Sequence, residues 1–302
     1  MATVNKRVGL PQAPVINGVD AGGKMTARLD EGFESVLRSS PDGLEAPMID
    51  REVQYCRGSI TTQDWVHVAD LLTGTVGTYV FYERKSGVAV ATGFIIHTIT
   101  NPVIHRVALK IVKGQYAGIT FDFECLAADE TKGFADMHGL TDSSAAPTYV
   151  SAARGGYRIS TAVHGAQSIY HVTSFDFTIE LPLVKACNDA DVGYTCVDAR
   201  LSGLKATGSI TFQDATIATG ALVAQTLLAA ARATLVLTAT QGGGGTAQTI
   251  TIAGVIFTPG SANSDANSDF SDYSLNFEVS NDLTTQLTLA GANKILVITD
   301  VV

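Results

Sequence analysis

Residues 58–64 read GSITTQD and residues 208–214 read GSITFQD, so six of seven positions agree at a separation of 150. That separation is close to half of the 302-residue chain. The shared residues that we single out are Gly58, Ser59 and Asp64 in the first segment and Gly208, Ser209 and Asp214 in the second. A segment that returns after half of the chain predicts one structural unit present twice.

The flanks of these two segments also match, at separations that rise slowly along the chain. Upstream, Arg7, Gly9, Gly18 and Thr26 align with Arg154, Gly156, Gly165 and Thr173 at a separation of 147. Downstream, residues 71–72 and 78–82 align with 227–228 and 234–238 at a separation of 156. Loop insertions in one of two copies produce such a gradual rise in the separation of matching residues. We therefore predict two tandem domains, residues 1–147 and 152–302, with a connector over residues 126–151.

Short segments in which apolar and polar residues alternate predict a mainly β protein with a minor helical part. The clearest are residues 119–125, ITFDFEC, and 273–279, YSLNFEV. Further strands are predicted over residues 78–82, 106–112, 233–238, 249–257 and 294–299. In each copy one helix is predicted directly after the repeated segment, with Asp64 and Asp214 as its N-caps.

Three polar segments lie outside this pattern. Residues 1–24 are rich in Pro, Gly and Asn and predict an extended N-terminal arm. Residues 39–54 and 186–203 predict two long excursions between neighbouring strands, and such excursions in a compact domain are usually functional. The charged residues singled out in the two excursions are Asp42, Glu45, Asp50, Arg51, Asp189 and Asp191.

The composition of the chain limits the classes of function that it can have. The net charge of −9 disfavours a protein that grips nucleic acid, because that role needs clustered Lys and Arg. A mean hydropathy of +0.21 predicts that apolar surface is buried between subunits. No apolar stretch reaches the roughly 18 residues of a membrane-spanning helix, and none near the start resembles a signal peptide. We expect folding in the cytoplasm, with the four cysteines reduced.

Enzymatic chemistry has little support in the sequence. Residues 18–24, GVDAGGK, match half of a phosphate-binding loop, but Met25 stands where Ser or Thr would hold magnesium. The six histidines show no zinc-ligand spacing, and no GxSxG motif occurs. Helix capping accounts for Asp64 and Asp214 better than a catalytic carboxylate pair. We expect no enzyme, no cofactor and no metal site.

The arrangement resembles bacteriophage tail tube proteins and their relatives in contractile injection systems. The resemblance rests on an N-terminal arm, a β-rich unit with one flanking helix, and a long polar excursion before that helix. It implies two tandem β-sandwich or barrel domains, each with one flanking helix, in subunits that join their sheets into a β-lined channel. Two domains per chain imply a trimer with pseudo-sixfold symmetry. Rings would stack through residues 1–24 and through the two polar excursions.

The same resemblance implies a structural subunit of the virion tail, assembled in the host cytoplasm, with a channel for genome passage. Its partners would be other copies of the chain, the terminator, the baseplate or tip, the tape measure and, transiently, viral DNA. No membrane is involved. Asp122 and Glu124 lie on the polar face of their predicted strand and are the candidates for the channel wall. We expect that wall to be negative, so that DNA slides along it.

Two other functions stay open at this point. A related virion component, such as a baseplate, tail-completion or head-to-tail adaptor protein, would form a single closed ring. A β-sandwich module that binds carbohydrate would be a stable monomer. Aromatic residues make up only 7% of the chain, which counts against sugar binding.

Overall fold

The computed structural model describes residues 7–16, 19–20, 26–38, 48–62, 78–85, 93–113, 115, 118–127, 137–143, 157–187, 196–213, 223–241, 247–263, 272–281, 286–288 and 294–300. These residues form nineteen strands and one helix. The strands are β1 Arg7–Ile16, β2 Val19–Asp20, β3 Thr26–Arg38, β4 Met48–Thr62, β5 Tyr79–Lys85, β6 Phe94–Ile99, β7 Pro102–Val112, β8 Gly118–Cys125, β9 His138–Ser143, β10 Tyr157–His164, β11 Gln167–Ile169, β12 Val172–Glu180, β13 Leu183–Cys187, β14 Cys196–Leu201, β15 Lys205–Gln213, β16 Ala233–Gln241, β17 Gln248–Asn263, β18 Asp272–Val279 and β19 Leu296–Asp300. The helix, α1, is Val223–Ala229. The mainly β class predicted from the sequence is confirmed.

The predicted strands are confirmed. They could be predicted because apolar and polar residues alternate visibly in the sequence. Each of the seven predicted segments overlaps one of β5, β7, β8, β16, β17, β18 and β19. In β8, Ile119, Phe121 and Phe123 are buried while the residues between them are half-buried. Successive side chains of a strand point to opposite faces, so one face of β8 meets the core and the other does not.

Antiparallel pairing arranges the strands into three sheets. One sheet has the order β2-β1-β5-β6-β9, and a short hairpin pairs β13 with β14. The large sheet has the order β11-β10-β16-β17-β18-β15-β12-β7-β8-β4-β3, with β19 also paired to β17. The large sheet therefore contains strands from both halves of the chain.

The same set of strand pairs occurs in each half. In the first half the pairs are β1–β2, β1–β5, β5–β6, β6–β9, β7–β8, β4–β8 and β3–β4. In the second half they are β10–β11, β10–β16, β16–β17, β17–β19, β17–β18, β15–β18 and β12–β15. The long strand β17 thus takes the place of both β6 and β7.

The repeated segment occupies the same register in both halves. Gly58 on β4 pairs with Phe123 on β8, and Gly208 on β15 pairs with Phe277 on β18. A Cβ atom added at Gly58 would overlap the carbonyl oxygen of Arg28 and lie 2.9 Å from Cζ of Phe123. One added at Gly208 would lie 2.8 Å from Cε1 of Phe277. Both positions require glycine because the neighbouring strand and a phenyl ring fill the space of a side chain.

In both halves a residue with a left-handed backbone conformation lies where the chain passes from one layer to the other. Asn101, between β6 and β7, has a φ of 47°, and Gly254, within β17, has a φ of 72°. The amide of Leu126 donates to the carbonyl of Asn101 at 3.1 Å, and the amide of Ser280 donates to that of Gly254 at 2.9 Å. The left-handed residue turns the chain from one layer into the other, as Asn and Gly allow.

The buried side chains form a sandwich-like core between the layers. Tyr79 of the five-stranded sheet packs edge-on against Phe123 of the large sheet, with ring centroids 5.2 Å apart. In the second half Phe277 stacks on Phe175 and Phe177 at about 6 Å. These rings belong to one continuous cluster of buried residues that includes members of both halves.

Several boundary predictions are corrected. Arg7–Ile16 is β1 and pairs with β5, so this part of the predicted N-terminal arm is a strand. Its counterpart in the second half, β10, pairs with β16 in the same way. The predicted connector, residues 126–151, contains β9, which pairs with β6. The helix predicted after Asp64 lies outside the described residues. The division into two domains at residues 147 and 152 stays a prediction.

Candidate functional site

The two halves of the chain meet in a strand pair between β12 and β7. Seven consecutive residue pairs join them, from Ser174 opposite Val112 to Glu180 opposite Arg106. Phe177 lies opposite Leu109, and both are buried, so the core continues across the junction. The junction is therefore an ordinary antiparallel ladder with one apolar face.

A polar face extends along the other side of the same strands. Asp122 and Glu124 alternate with buried Phe123 on β8, so the structure places both predicted channel residues on this face. Ser59 pairs with Asp122, and Ser209 pairs with Asn276 at the corresponding place in the second half. The repeated segment thus presents its serine to the polar face and its glycine to the core.

Many of the charges on the polar face are paired. Arg106 lies 2.9 Å from Asp122 and 3.7 Å from Glu180, Nζ of Lys185 lies 2.6 Å from Glu124, Lys110 lies 3.7 Å from Asp176, and Arg57 lies 3.3 Å from Asp30. Each carboxylate in this group has a cationic neighbour. Within these pairs the charges cancel, and the expected negative channel wall stays a prediction.

A shallow hollow of about 320 Å³ lies on this face above the repeated segment. Its charged and polar lining residues are Arg28, Asp30, Arg57, Ser59, His105 and Asp122. Mixed charges of this kind favour neither an anion nor a cation strongly.

Several strands in the part of the chain that the structure describes pair on one side only, among them β9, β11 and β19. Two further open edges concern the junction. β3 pairs with β4 on one side only. The C-terminal part of β17, after Val255, pairs with β18 on one side, whereas its N-terminal part has β16 and β19 on its two sides. Unpaired edges of this kind are sites where another chain can add.

These two open edges are the counterparts of the strands that form the internal junction. β3 corresponds to β12, because Leu29 faces Gly58 as Phe177 faces Gly208. The end of β17 corresponds to β7, because Ala262 faces Tyr273 as Leu109 faces Ile119. Each strand of the junction within the chain therefore has a counterpart with an open edge.

The predicted excursions are shorter than the sequence indicated. Asp50 and Arg51 belong to β4 and pair with Val36 and Ser35, so the first excursion continues the β3–β4 hairpin. In the second excursion, β13 and β14 form a hairpin of their own. Asp42, Glu45, Asp189 and Asp191 lie outside the described residues, and their role in stacking stays a prediction.

Both predicted helix caps also lie outside the described residues. α1 begins at Val223, nine positions after Asp214, and buries Val223, Ala224 and Leu227. Capping by Asp64 and Asp214 stays a prediction.

A polar chain of four side chains, buried at Glu83 and His97 and exposed at Glu31, was missed by the sequence analysis. Glu83 Oε2 lies 3.0 Å from Nε2 of His97, and Nδ1 of His97 lies 3.0 Å from Nε2 of His138. Nδ1 of His138 contacts Oε1 of Glu31. The four residues come from β5, β6, β9 and β3. Residues that contact each other in this row are between 14 and 107 positions apart along the chain. The available signal was that Glu83 and His97 occupy inward positions of alternating strands.

Two cysteines lie beside this chain. Cys56 and Cys125 are buried and free, and Sγ of Cys56 lies 3.8 Å from Oε1 of Glu31. A hydrogen bond with Cys56 and burial raise the pKa of the Cys125 thiol far above its ordinary value. Burial also raises the pKa of Tyr79. Cys125 is therefore held as a neutral thiol at neutral pH.

Among the described residues, no group of three or more His, Cys, Asp and Glu side chains is arranged to hold a metal ion. The described part of the chain also has no helix whose length and apolar character would let it span a membrane. No protein-family model matches this sequence, and a search of curated proteins finds no match either.

Proposed function

We propose that this protein is a structural subunit of a bacteriophage tail tube, in which copies join edge to edge into rings and the rings stack. The observation that carries the proposal is the β12–β7 junction, together with the two open edges that correspond to it. A contact that uses two different surfaces repeats head to tail, and it closes a ring when the rotation fits.

The internal junction predicts the register between chains. Within the chain, Asp176, Phe177 and Thr178 pair with Lys110, Leu109 and Ala108. Their counterparts on the open edges are Arg28, Leu29 and Asp30 on β3 and Asn263, Ala262 and Ser261 on β17. Asp30 of one copy would therefore face Ser261 of the next.

Ring order follows from the doubling. Each chain supplies two units, so three chains give the sixfold arrangement of tail tubes as a trimer with pseudo-sixfold symmetry. The polar face would line the channel, and the paired charges on it would offer DNA few free cations to bind. Closure of the ring would also pair the open edges of β3 and β17, and unpaired strand edges are sites of aggregation.

Disulfide cross-linking tests the register. Residues directly opposite each other in adjacent strands have Cβ atoms about 4.5–5.5 Å apart, near the span of a disulfide. The double variant Asp30→Cys, Ser261→Cys is expected to give covalent trimers after mild oxidation, seen on non-reducing gels. Asp30→Cys with Asn276→Cys is the matched control, since Asn276 lies on the same face but one strand further in. Equal cross-linking of both variants would contradict the register.

Electron microscopy separates the tube from the alternatives. Hollow tubes of stacked rings are expected for the wild-type chain. Single rings that never stack would favour a baseplate, tail-completion or adaptor protein. A monomer at all concentrations would exclude both ring functions and leave the carbohydrate-binding module.

A further inference from the structure

We propose that Glu83, His97, His138 and Glu31 form a proton-binding latch that ties the edge strand β3 to the five-stranded sheet. Three contacts link these side chains in a row. Each hydrogen bond contains one hydrogen atom, so three bonds need three hydrogens.

Two neutral imidazoles supply only two hydrogens, one each. If Nε2 of His97 donates to Glu83 and Nδ1 of His138 donates to Glu31, the remaining nitrogens face each other at 3.0 Å with two lone pairs. A third hydrogen must lie between them. Imidazole is a stronger base than carboxylate, so the extra proton belongs to the two rings, and the row holds one imidazolium between two carboxylates.

The surroundings keep this proton in place. His97 and Glu83 are buried, and the side chain of His138 is 9% exposed. Titratable groups beside the row include Cys56, which contacts Glu31, and then Cys125 and Tyr79. Burial raises the pKa of Cys125 and of Tyr79, so these two groups are neutral at pH 7. The contacts described here place a carboxylate at each end of the two rings.

The second half shows what the same positions contain without a latch. By strand register, the counterparts of Glu31, Glu83, His97 and His138 are Ile179, Ala239, Ile250 and Leu296. All four of these are buried and apolar. The fold is therefore compatible with an apolar core at this place, and the polar row is a special property of the first half.

The place of the latch gives it a consequence. Glu31 is on β3, the open edge, and its contact with His138 joins the two layers. Loss of the extra proton leaves two lone pairs facing each other and two carboxylates without a counter-charge, which weakens that attachment. If β3 pairs with the next chain, as the proposed function has it, ring assembly becomes sensitive to pH above neutrality.

The first test is nitrogen NMR of the imidazole rings in the full-length wild-type chain. At pH 7.5 a free imidazole, with a pKa of about 6.5, is mostly neutral. The ¹⁵N shifts of His97 and His138 are expected to show one shared extra proton at that pH. Two neutral rings would overturn the proposal, whatever the oligomeric state.

The second test compares the wild type with a variant that has the apolar residues of the second half: Glu31→Ile, Glu83→Ala, His97→Ile and His138→Leu. Between pH 7 and 8 the wild-type row holds one proton that the unfolded chain has mostly released. Its unfolding constant, relative to that of the variant, should then rise about sixfold between pH 7 and 8. Below about pH 6.5 the sign reverses, because the two unfolded imidazoles together bind more than one proton.

A ratio that does not change with pH would overturn the latch. The thiol of Cys125 and the phenol of Tyr79 occur in both proteins, so their titration cancels from the comparison. Both tests measure proton binding, and neither depends on ring formation. A latch that passes them in a protein that stays monomeric would remove the proposed function and leave the latch.

Discussion

Gly58 and Gly208 show at the scale of single residues why the repeated segment recurs. Each lies where a neighbouring backbone and a phenyl ring leave no room for a methyl group. The serine that follows each glycine lies on the opposite, polar face. The repeat therefore records a packing constraint that two strands of the same kind share, and it carries no catalytic group.

Alanine at either glycine should destabilise the fold. Gly58→Ala and Gly208→Ala are each expected to lower the free energy of unfolding by about 1–3 kcal/mol, because the added methyl group overlaps a carbonyl oxygen that cannot move without opening the sheet. Urea denaturation measures the change. Gly139→Ala is the control, since its added Cβ would lie 3.9 Å from the nearest atoms of Thr98. Equal losses at all three sites would contradict the packing argument.

The polar residues of the latch illustrate the limit of prediction at this scale. Glu83 and His97 stand at inward positions of strands, which the alternation could have shown. Their partners His138 and Glu31 come from strands far away in sequence, and only the sheet pairings bring them within hydrogen-bonding distance. Side-chain chemistry is local, but the meeting of side chains depends on the fold.

At the scale of elements, the crossover between layers is the part that both halves share most closely. The first half uses two strands with Asn101 between them, and the second uses one long strand bent at Gly254. The same backbone hydrogen bond closes both turns. A left-handed residue at this place decides which sheet each part of the strand joins.

Substitutions at the two crossovers should differ in effect. Gly254→Ala is expected to cost about 1–2 kcal/mol for the left-handed backbone alone, and more from overlap with the carbonyl of Ser280, 2.6 Å from an added Cβ. Asn101→Gly should change the free energy of unfolding by less than about 1 kcal/mol, because glycine accepts the same φ. Thermal or urea unfolding measures both. A tolerated Gly254→Ala would show that the turn can adopt another conformation.

At the scale of the whole molecule, the two halves share a sheet and a buried cluster. Two tandem domains joined by a linker would each have their own core and would unfold separately. Here β12 pairs with β15 of its own half and with β7 of the other. Opening either half therefore exposes apolar residues of the other.

Unfolding of the wild-type chain should accordingly be one cooperative transition. Calorimetry is expected to give a van't Hoff enthalpy close to the calorimetric one. Hydrogen exchange in β8 and in β18, one from each half, should report the same global opening free energy. Two resolved transitions, or a clear difference in protection between these strands, would show that the halves are independent.

The sequence by itself determined seven of the nineteen strands that the structure describes, and it showed the doubling. Those properties follow from local alternation and from a repeat that is visible without any contacts, as in β8 and in residues 58–64 and 208–214. It did not separate strand from loop in the N-terminal arm or the excursions, where Pro, Gly and Asn obscure the alternation.

Only the tertiary structure decided which strands became neighbours. The β12–β7 junction, the open edges of β3 and β17, and the Glu–His–His–Glu row all depend on pairings between segments distant in sequence. The physical reason is that every residue type except proline offers a strand the same backbone hydrogen-bonding groups, so the choice of partner is made by the packing of the whole core.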